Sequence, residues 1–226
     1  MNTNEQFQMR LRRLVGVALF TALAYVVMLL IHFPVSFLTL DVKDAVITLC
    51  GLCFGPISAL VSSVIVALVE MLTVSSTGVY GFVMNAIGTA TFSVTVSLIY
   101  KYKKSFFGAI VGLLSGILAM TAVMMVFNLV VTPWYMHVEV AQVRNMIPTL
   151  LLPFNLVKAT FNAAVVLLLY KPVSNVLQKT GFLPKSEATL KFDRRTILVT
   201  VAAIVLMVAS IILIFQVLGG TFKFGI

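Results

Sequence analysis

The stretch AVITLCGLCFGPISALVSSVIVALV, Ala45 to Val69, runs 25 residues without a charge, and whether it crosses a membrane once or twice decides the fold. Uncharged runs of about 18 residues or more read as spanning helices, and this one is long enough for a single pass. Gly55 and Pro56, however, fall near its middle. Proline lacks a backbone N–H, and its ring keeps the preceding residue out of the helical region, so one continuous helix is disfavoured here. The flanking charges decide the matter. Arg10, Arg12 and Arg13 precede the first apolar run, and Lys101, Lys103 and Lys104 follow the third. A single pass through 45–69 would put these clusters on opposite sides, whereas positive loops belong on the cytoplasmic side. A helical hairpin broken at Gly55-Pro56 brings both inside.

Working outward from this hairpin, the other uncharged stretches are Leu14 to Ile31, Gly78 to Tyr100, Ser105 to Thr132 and Thr196 to Phe222, with a further apolar segment around Lys158. The expected spans are about 11–32, 44–54, 56–72, 80–100, 106–130 and 148–170. A chain of 226 residues that is 61% hydrophobic, with a mean hydropathy of +1.10, is an integral membrane protein. The fold class is an all-α membrane protein, a six-transmembrane-helix bundle with a seventh, C-terminal transmembrane helix at 196–218. The six-helix membrane domain is expected over residues 1–180, and a basic linker with the extra hydrophobic helix over 181–226. Residues 45–54 are short for a full crossing at 1.5 Å per residue, so this helix must be tilted or packed deep in the bundle.

The net charge of +9 does not mark a nucleic-acid binder, because the basic residues sit at the ends of apolar segments. A third cluster, Lys171, Lys179, Lys185, Lys191, Arg194 and Arg195, lies between the last two spans, and all three fall on the cytoplasmic side. The partner these charges imply is the lipid bilayer. The N-terminus is cytoplasmic, and the first apolar run, longer than the h-region of a secretory signal, reads as a retained helix. Cys50 and Cys53 have CxxC spacing but no second pair and no nearby His, and read as small packing residues.

The segment LLLPFNLVKATFNAAVVLLLY, Leu150 to Tyr170, carries a charge inside an otherwise apolar helix. Asn155 and Asn162, three residues before and four after Lys158, share its face. A lysine at a helix centre costs about 2.5–3.5 kcal/mol on insertion scales, so it faces the protein interior or a watery cavity. Glu70, Asn85, Asn128 and Asn155 fall at a similar depth on neighbouring helices, which points to a pocket at the outer end. Asparagine offers donors and an acceptor together, and lysine offers donors alone. Two readings stay open for Lys158: contact with a ligand oxygen, or an internal ion pair with Glu70 or Asp44. In the helices, Ala18 and Ala22 form AxxxA, and Gly108, Gly112 and Gly116 form a GxxxGxxxG run suited to close internal packing.

The sequence holds no GxxxxGK[ST] phosphate loop, no GxGxxG and no HExxH pair. His32 and His137 sit at helix ends or in loops, so no hydrolase constellation forms. The expectation is a protein that is not an enzyme and has no cofactor or metal.

FLTLDVKDAVITLCGLCFGP (37–56), GFVMNAIGTATF (81–92), FNLVVTPWY (127–135) and LLPFNLVKATFN (151–162) together resemble the substrate-binding S components of energy-coupling factor (ECF) vitamin transporters, the riboflavin-specific RibU type in particular. The likeness spans about residues 10–180, and its PFNLVK core is the most specific part. It implies a six-helix fold open to the outside, capped by the loop between the first two helices. It implies that Asn128, Asn155 and Lys158 hydrogen-bond riboflavin, which is the transported substrate and not a cofactor. Asn85, Thr39, Leu40 and Asp44 are further ligand-binding candidates by the same likeness, with Leu40 over the ring face. It implies that Ala18 and Ala22 contact an ECF transmembrane coupling subunit, which docks two ABC ATPase subunits in a bacterial plasma membrane. The sequence departs from the resemblance at Lys43 in the capping loop and in the seventh helix. Other readings are an S component for thiamine, biotin or FMN, or a membrane scaffold or enzyme in which Lys158 is structural or catalytic.

Overall fold

The chain breaks at Gly55. Its φ of 96° and ψ of 168° lie in a region that only glycine adopts without strain, and Pro56 follows as the first residue of the next helix, where a missing N–H costs nothing. The computed structural model describes residues 3–183, 194–220 and 223–224. In chain order the elements are α1 (Thr3–Leu30), β1 (Ile31–Val35), β2 (Leu38–Asp41), α2 (Lys43–Phe54), α3 (Pro56–Thr73), α4 (Gly78–Tyr102), α5 (Phe106–Met136), α6 (Val140–Met146), a π-helical turn (Ile147–Leu151), α7 (Leu152–Lys179), α8 (Arg194–Gln216) and β3 (Lys223–Phe224). Among the described residues six helices are long and apolar enough to cross a membrane. These are α1, α3, α4, α5, the α6–α7 unit and α8.

The remaining helix, α2, has 12 residues and is buried along nearly all of its length. At 1.5 Å per residue it spans only about 18 Å. Its ends are satisfied inside the protein, as backbone at membrane depth requires. At its head, Ala45 donates its N–H to the Asn162 side chain at 2.8 Å, and Lys43 donates its N–H to Asp41 at 3.1 Å. At its foot, Arg13 donates to the Phe54 carbonyl at 2.6 Å. The basic end of the molecule is tied together further by Arg12, which donates to the Gly181 carbonyl at 3.3 Å. The sequence call on Lys185 and Lys191 lies outside the described residues.

The glycine run of α5 is internal. Gly108, Gly112 and Gly116 are buried, and a Cβ on Gly116 would meet Val96 of α4 at 2.7 Å, so these glycines set how closely α4 and α5 approach. Cys50 and Cys53 are free thiols, and among the described residues no group of ligands could hold a metal.

The structure differs from the sequence reading at several places, and α1 and α7 also extend beyond their expected spans, from Thr3 and to Lys179. The connection after α1 is not a loop but an antiparallel hairpin, with Phe33 opposite Leu40 and a turn at Ser36, whose φ is 55°. Lys43, assigned to that loop, is the first residue of α2 and is 1% exposed. Helix α5 continues past 130 to Met136, through Pro133 in its last turns, and within it the Thr132 hydroxyl donates to Asn128 Oδ1 at 2.9 Å.

The described part of the C-terminal region, from Arg194 on, packs onto the bundle. Helix α8 lies against α7, Ile214 and Ala203 are buried, and Phe215 meets Phe33 edge-on at 5.7 Å. Beyond α8, β3 pairs antiparallel with β1, so the hairpin becomes a three-stranded sheet in the order β2-β1-β3.

Candidate functional site

A cavity of about 260 Å³ opens beneath the hairpin, between α1, α3, α4, α5 and α7. Its apolar wall is made by Met28, Leu29, Leu38, Met84, Met120, Met124 and Phe154. Phe37, Tyr80 and Tyr135 also line it, and their rings lie 6.1–6.2 Å apart in tilted pairs. Thr39, Asp44, Glu70, Asn85, Thr89, Asn128, Asn155 and Lys158 bring polar groups to the same space. An apolar chamber with a few convergent polar groups is the usual form of a small-molecule site.

Six of the seven sequence-derived ligand candidates, Thr39, Asp44, Asn85, Asn128, Asn155 and Lys158, line this cavity. Leu40 is the exception. It is fully buried in the core. The apolar cover expected from Leu40 comes instead from Leu38 and Phe37. Asn162, on the same helical face as Lys158, holds the β2–α2 junction: its Nδ2 donates to the Asp41 carbonyl at 2.9 Å while its Oδ1 accepts from Ala45. One helical turn carries a residue about 5.4 Å along the axis, which separates a cavity residue from a structural one.

Each cavity amide is partly engaged. Asn128 donates to the Met124 carbonyl at 2.7 Å and Asn155 to the Leu151 carbonyl at 2.8 Å, which uses one of the two N–H groups of each. Pro148 lies within the π-turn before Asn155, and Pro153 lies in the first turn of α7. Their missing N–H groups interrupt the regular ladder there and set the angle at which α7 enters.

Lys158 is an ion-paired lysine: of the two expected partners Asp44 lies within ion-pair range and Glu70 does not, and the nearest carboxylate is Asp41, which was not expected. Its Nζ donates to the Thr39 carbonyl at 3.0 Å and to Asp41 Oδ2 at 3.1 Å, with Asp44 Oδ2 at 3.9 Å. Glu70, considered as a partner, bonds Lys43 at 2.6 Å and accepts from Asn85 at 3.0 Å. Lys43 also lies 3.3 Å from Asp41. Three carboxylates and two ammonium groups thus form one buried cluster of formal charge −1. Burial by itself would raise the pKa of Asp41, which lies in the hairpin outside the spanning helices. The facing charges of Lys158 and Lys43 outweigh that and hold its carboxyl below the usual range.

The sequence reading missed Asp41 and Thr89. The signal for Asp41 was charge balance: Lys43 and Lys158 both enter an apolar bundle, and a buried charge needs a partner. Thr89, which donates to Asp44 at 2.6 Å, carries no comparable signal.

On helix α1, Ala18 and Ala22 are exposed while Gly16, Phe20 and Ala24 are buried. The small-residue pair therefore faces outward from the bundle.

Comparison with known proteins gives a consistent picture. The family model described as ECF transporter, substrate-specific component, matches residues 12–173. The riboflavin transporter RibU of Staphylococcus aureus (strain TCH60) is 30% identical over 178 residues, covering 74% of this chain and 93% of the relative. The riboflavin transporter FmnP of Bacillus subtilis (strain 168) is 28% identical over 163 residues, covering 66% of this chain and 85% of the relative. A solved structure of the S component of a bacterial ECF transporter superposes with a TM-score of 0.65 at 29% identity, covering 75% of this chain and 99% of that chain. Helix α8 and β3 lie beyond the residues matched by the family model.

Proposed function

The chain belongs to the family of substrate-specific components of ECF transporters, and from that premise we propose that the cavity under the hairpin binds riboflavin for uptake. The observation that carries this reading is the convergence of Asn128, Asn155 and Lys158 on one cavity that also has aromatic and methionine walls. The pyrimidine edge of the isoalloxazine ring alternates carbonyls with an N–H and suits amide and ammonium partners, while the ring faces suit Phe37, Tyr135 and Met124. The relatives named for riboflavin transport support the same cargo. His32 and Lys158 are the basic residues of the lining, and Asp44 and Glu70 stand among them. This balance favours an uncharged vitamin over its phosphate ester.

In this reading the chain binds cargo and catalyses no reaction. The basic end, with Arg12, Arg13, Lys103 and Lys179, faces the cytoplasm, and the hairpin end faces outside. Exposed Ala18 and Ala22 dock the transmembrane coupling subunit, and two ABC ATPases attached to that subunit supply the phosphate-binding loops that the chain lacks.

The test is to purify the full chain from riboflavin-containing medium and record its absorption spectrum. A yellow protein with stoichiometric flavin supports the reading. A colourless protein that also leaves the fluorescence of added riboflavin unquenched overturns it.

A further inference from the structure

Glu70 is a carboxylate in the cavity wall to which the family resemblance gives no role, and its partner Lys43 is where the chain departs from that resemblance. Glu70 lines the cavity from the last turn of α3, and its side chain is 14% exposed. Two donors from different helices fix it: Lys43 Nζ of α2 donates to Oε2 at 2.6 Å, and Asn85 Nδ2 of α4 donates to Oε1 at 3.0 Å. A carboxylate has about four lone-pair sites over its two oxygens, so each oxygen of Glu70 keeps acceptor capacity after these bonds. The chain then turns back over it. Ser75 donates its N–H to the Glu70 carbonyl at 3.0 Å, and Ser75, Ser76 and Thr77 line the same wall, with the Ser75 and Thr77 hydroxyls 3.1 Å apart. Around the cavity, α4 and α5 stand between this wall and α7, which carries Asn155 and Lys158.

We propose that Glu70, with the α3–α4 connection, is the subsite for a polyhydroxylated chain on the cargo, and that its carboxylate accepts O–H groups from two neighbouring carbons of that chain. The two oxygens of a carboxylate lie side by side and only accept, which suits adjacent hydroxyl hydrogens, and acidic side chains hold sugar hydroxyls in the same way. The Ser75, Ser76 and Thr77 hydroxyls beside it both donate and accept, and so match the remaining oxygens of such a chain. Lys43 is a positioning residue: it does not line the cavity, and by holding Oε2 it fixes the plane of the carboxylate. The surplus negative charge of the cluster favours a neutral chain rich in O–H over an anionic one. This inference rests on the reading of the cavity as a flavin site, in which the amides and ammonium of α5 and α7 take the ring and the hydroxylated chain of riboflavin reaches the α3–α4 wall.

The experiment compares riboflavin with lumiflavin, which keeps the ring but carries a methyl group in place of the hydroxylated chain, by fluorescence quenching on the purified full chain. The wild type should bind riboflavin at least about tenfold more tightly than lumiflavin, and Glu70→Gln should cut that preference by about tenfold, the size of a hydrogen bond to a charged group. The loss should fall on riboflavin, with lumiflavin affinity moving by less than about threefold. If Glu70→Gln is not recovered folded, Lys43→Met combined with Glu70→Gln removes the ammonium that faced the carboxylate and should show the same fall in preference. A wild type that binds lumiflavin as tightly as riboflavin, a preference unchanged in the variants, or an equal loss for both ligands overturns the inference and leaves the flavin reading standing. A wild type that binds neither flavin overturns that reading, and the inference with it.

Discussion

Two lysines with similar burial do different work. Lys158 reaches the cavity, and its removal leaves Asp41 still paired with Lys43 at 3.3 Å. Lys158→Ala should therefore fold, and should weaken riboflavin binding about ten- to hundredfold, as loss of a charged hydrogen bond does. Asn128→Ala should weaken it less, since Asn128 already spends one N–H on Met124. Fluorescence titration measures both, and unchanged affinity in both variants removes these residues from the site. Lys43 is absent from the cavity lining and joins Glu70 to Asp41. Taking one partner from a buried charge pair costs about 3–5 kcal/mol, so Lys43→Ala should lower the midpoint of thermal unfolding in detergent markedly. Lys43→Met combined with Glu70→Gln should recover part of that loss, because no unpaired carboxylate is then left at Glu70. If the double variant is no more stable than Lys43→Ala, the pair is not the source of the stability.

At the scale of elements, the hairpin that roofs the cavity is held from both sides: Lys158 bonds its Thr39 carbonyl, and β3 pairs with its first strand, β1, at Ile31 and His32. Phe215 of α8 adds an edge-on contact to Phe33. Removing residues 194–226 should loosen the roof and speed riboflavin release about tenfold, equivalent to the ~1.4 kcal/mol expected of an aromatic pair. Stopped-flow dissociation reads this, and a rate within about twofold of the intact chain would show that the roof does not depend on α8. The long helices were legible in the sequence because hydropathy and charge act locally: the Gly55-Pro56 break and the basic clusters gave the order and number of the crossings. The hairpin was not legible, because Ile31–Val35 simply continues the apolar run of α1 and its register depends on partners at 38–41 and 223–224. For the site, Lys158 and the asparagines stood out as polar residues in apolar helices. Leu40 was misplaced because its burial in the core depends on packing partners distant in sequence, which a segment taken for a loop does not reveal.

The whole molecule is divided by depth, with basic residues and helix-end ties at one end, a close-packed apolar middle, and the charge cluster, cavity and sheet at the other. A transporter subunit of this build must pass the state of its cavity to a partner through an outer surface, and helix α1 offers one. Its buried stripe of Gly16, Phe20, Ala24 and Met28 faces the bundle, leaving Ala18 and Ala22 outside on the opposite side. Small residues at i and i+4 let another helix approach closely in lipid, where packing rather than the hydrophobic effect drives association. Because neither alanine is buried against the chain itself, Ala18→Leu with Ala22→Leu should leave the cavity and its affinity for riboflavin unchanged. The added side chains should hold a partner helix away and abolish riboflavin uptake by cells carrying the complete transporter. Measuring uptake and equilibrium binding on the same double variant separates the two roles. Unimpaired uptake would place the docking surface elsewhere, and loss of binding together with uptake would mean that α1 packs through these alanines within the bundle.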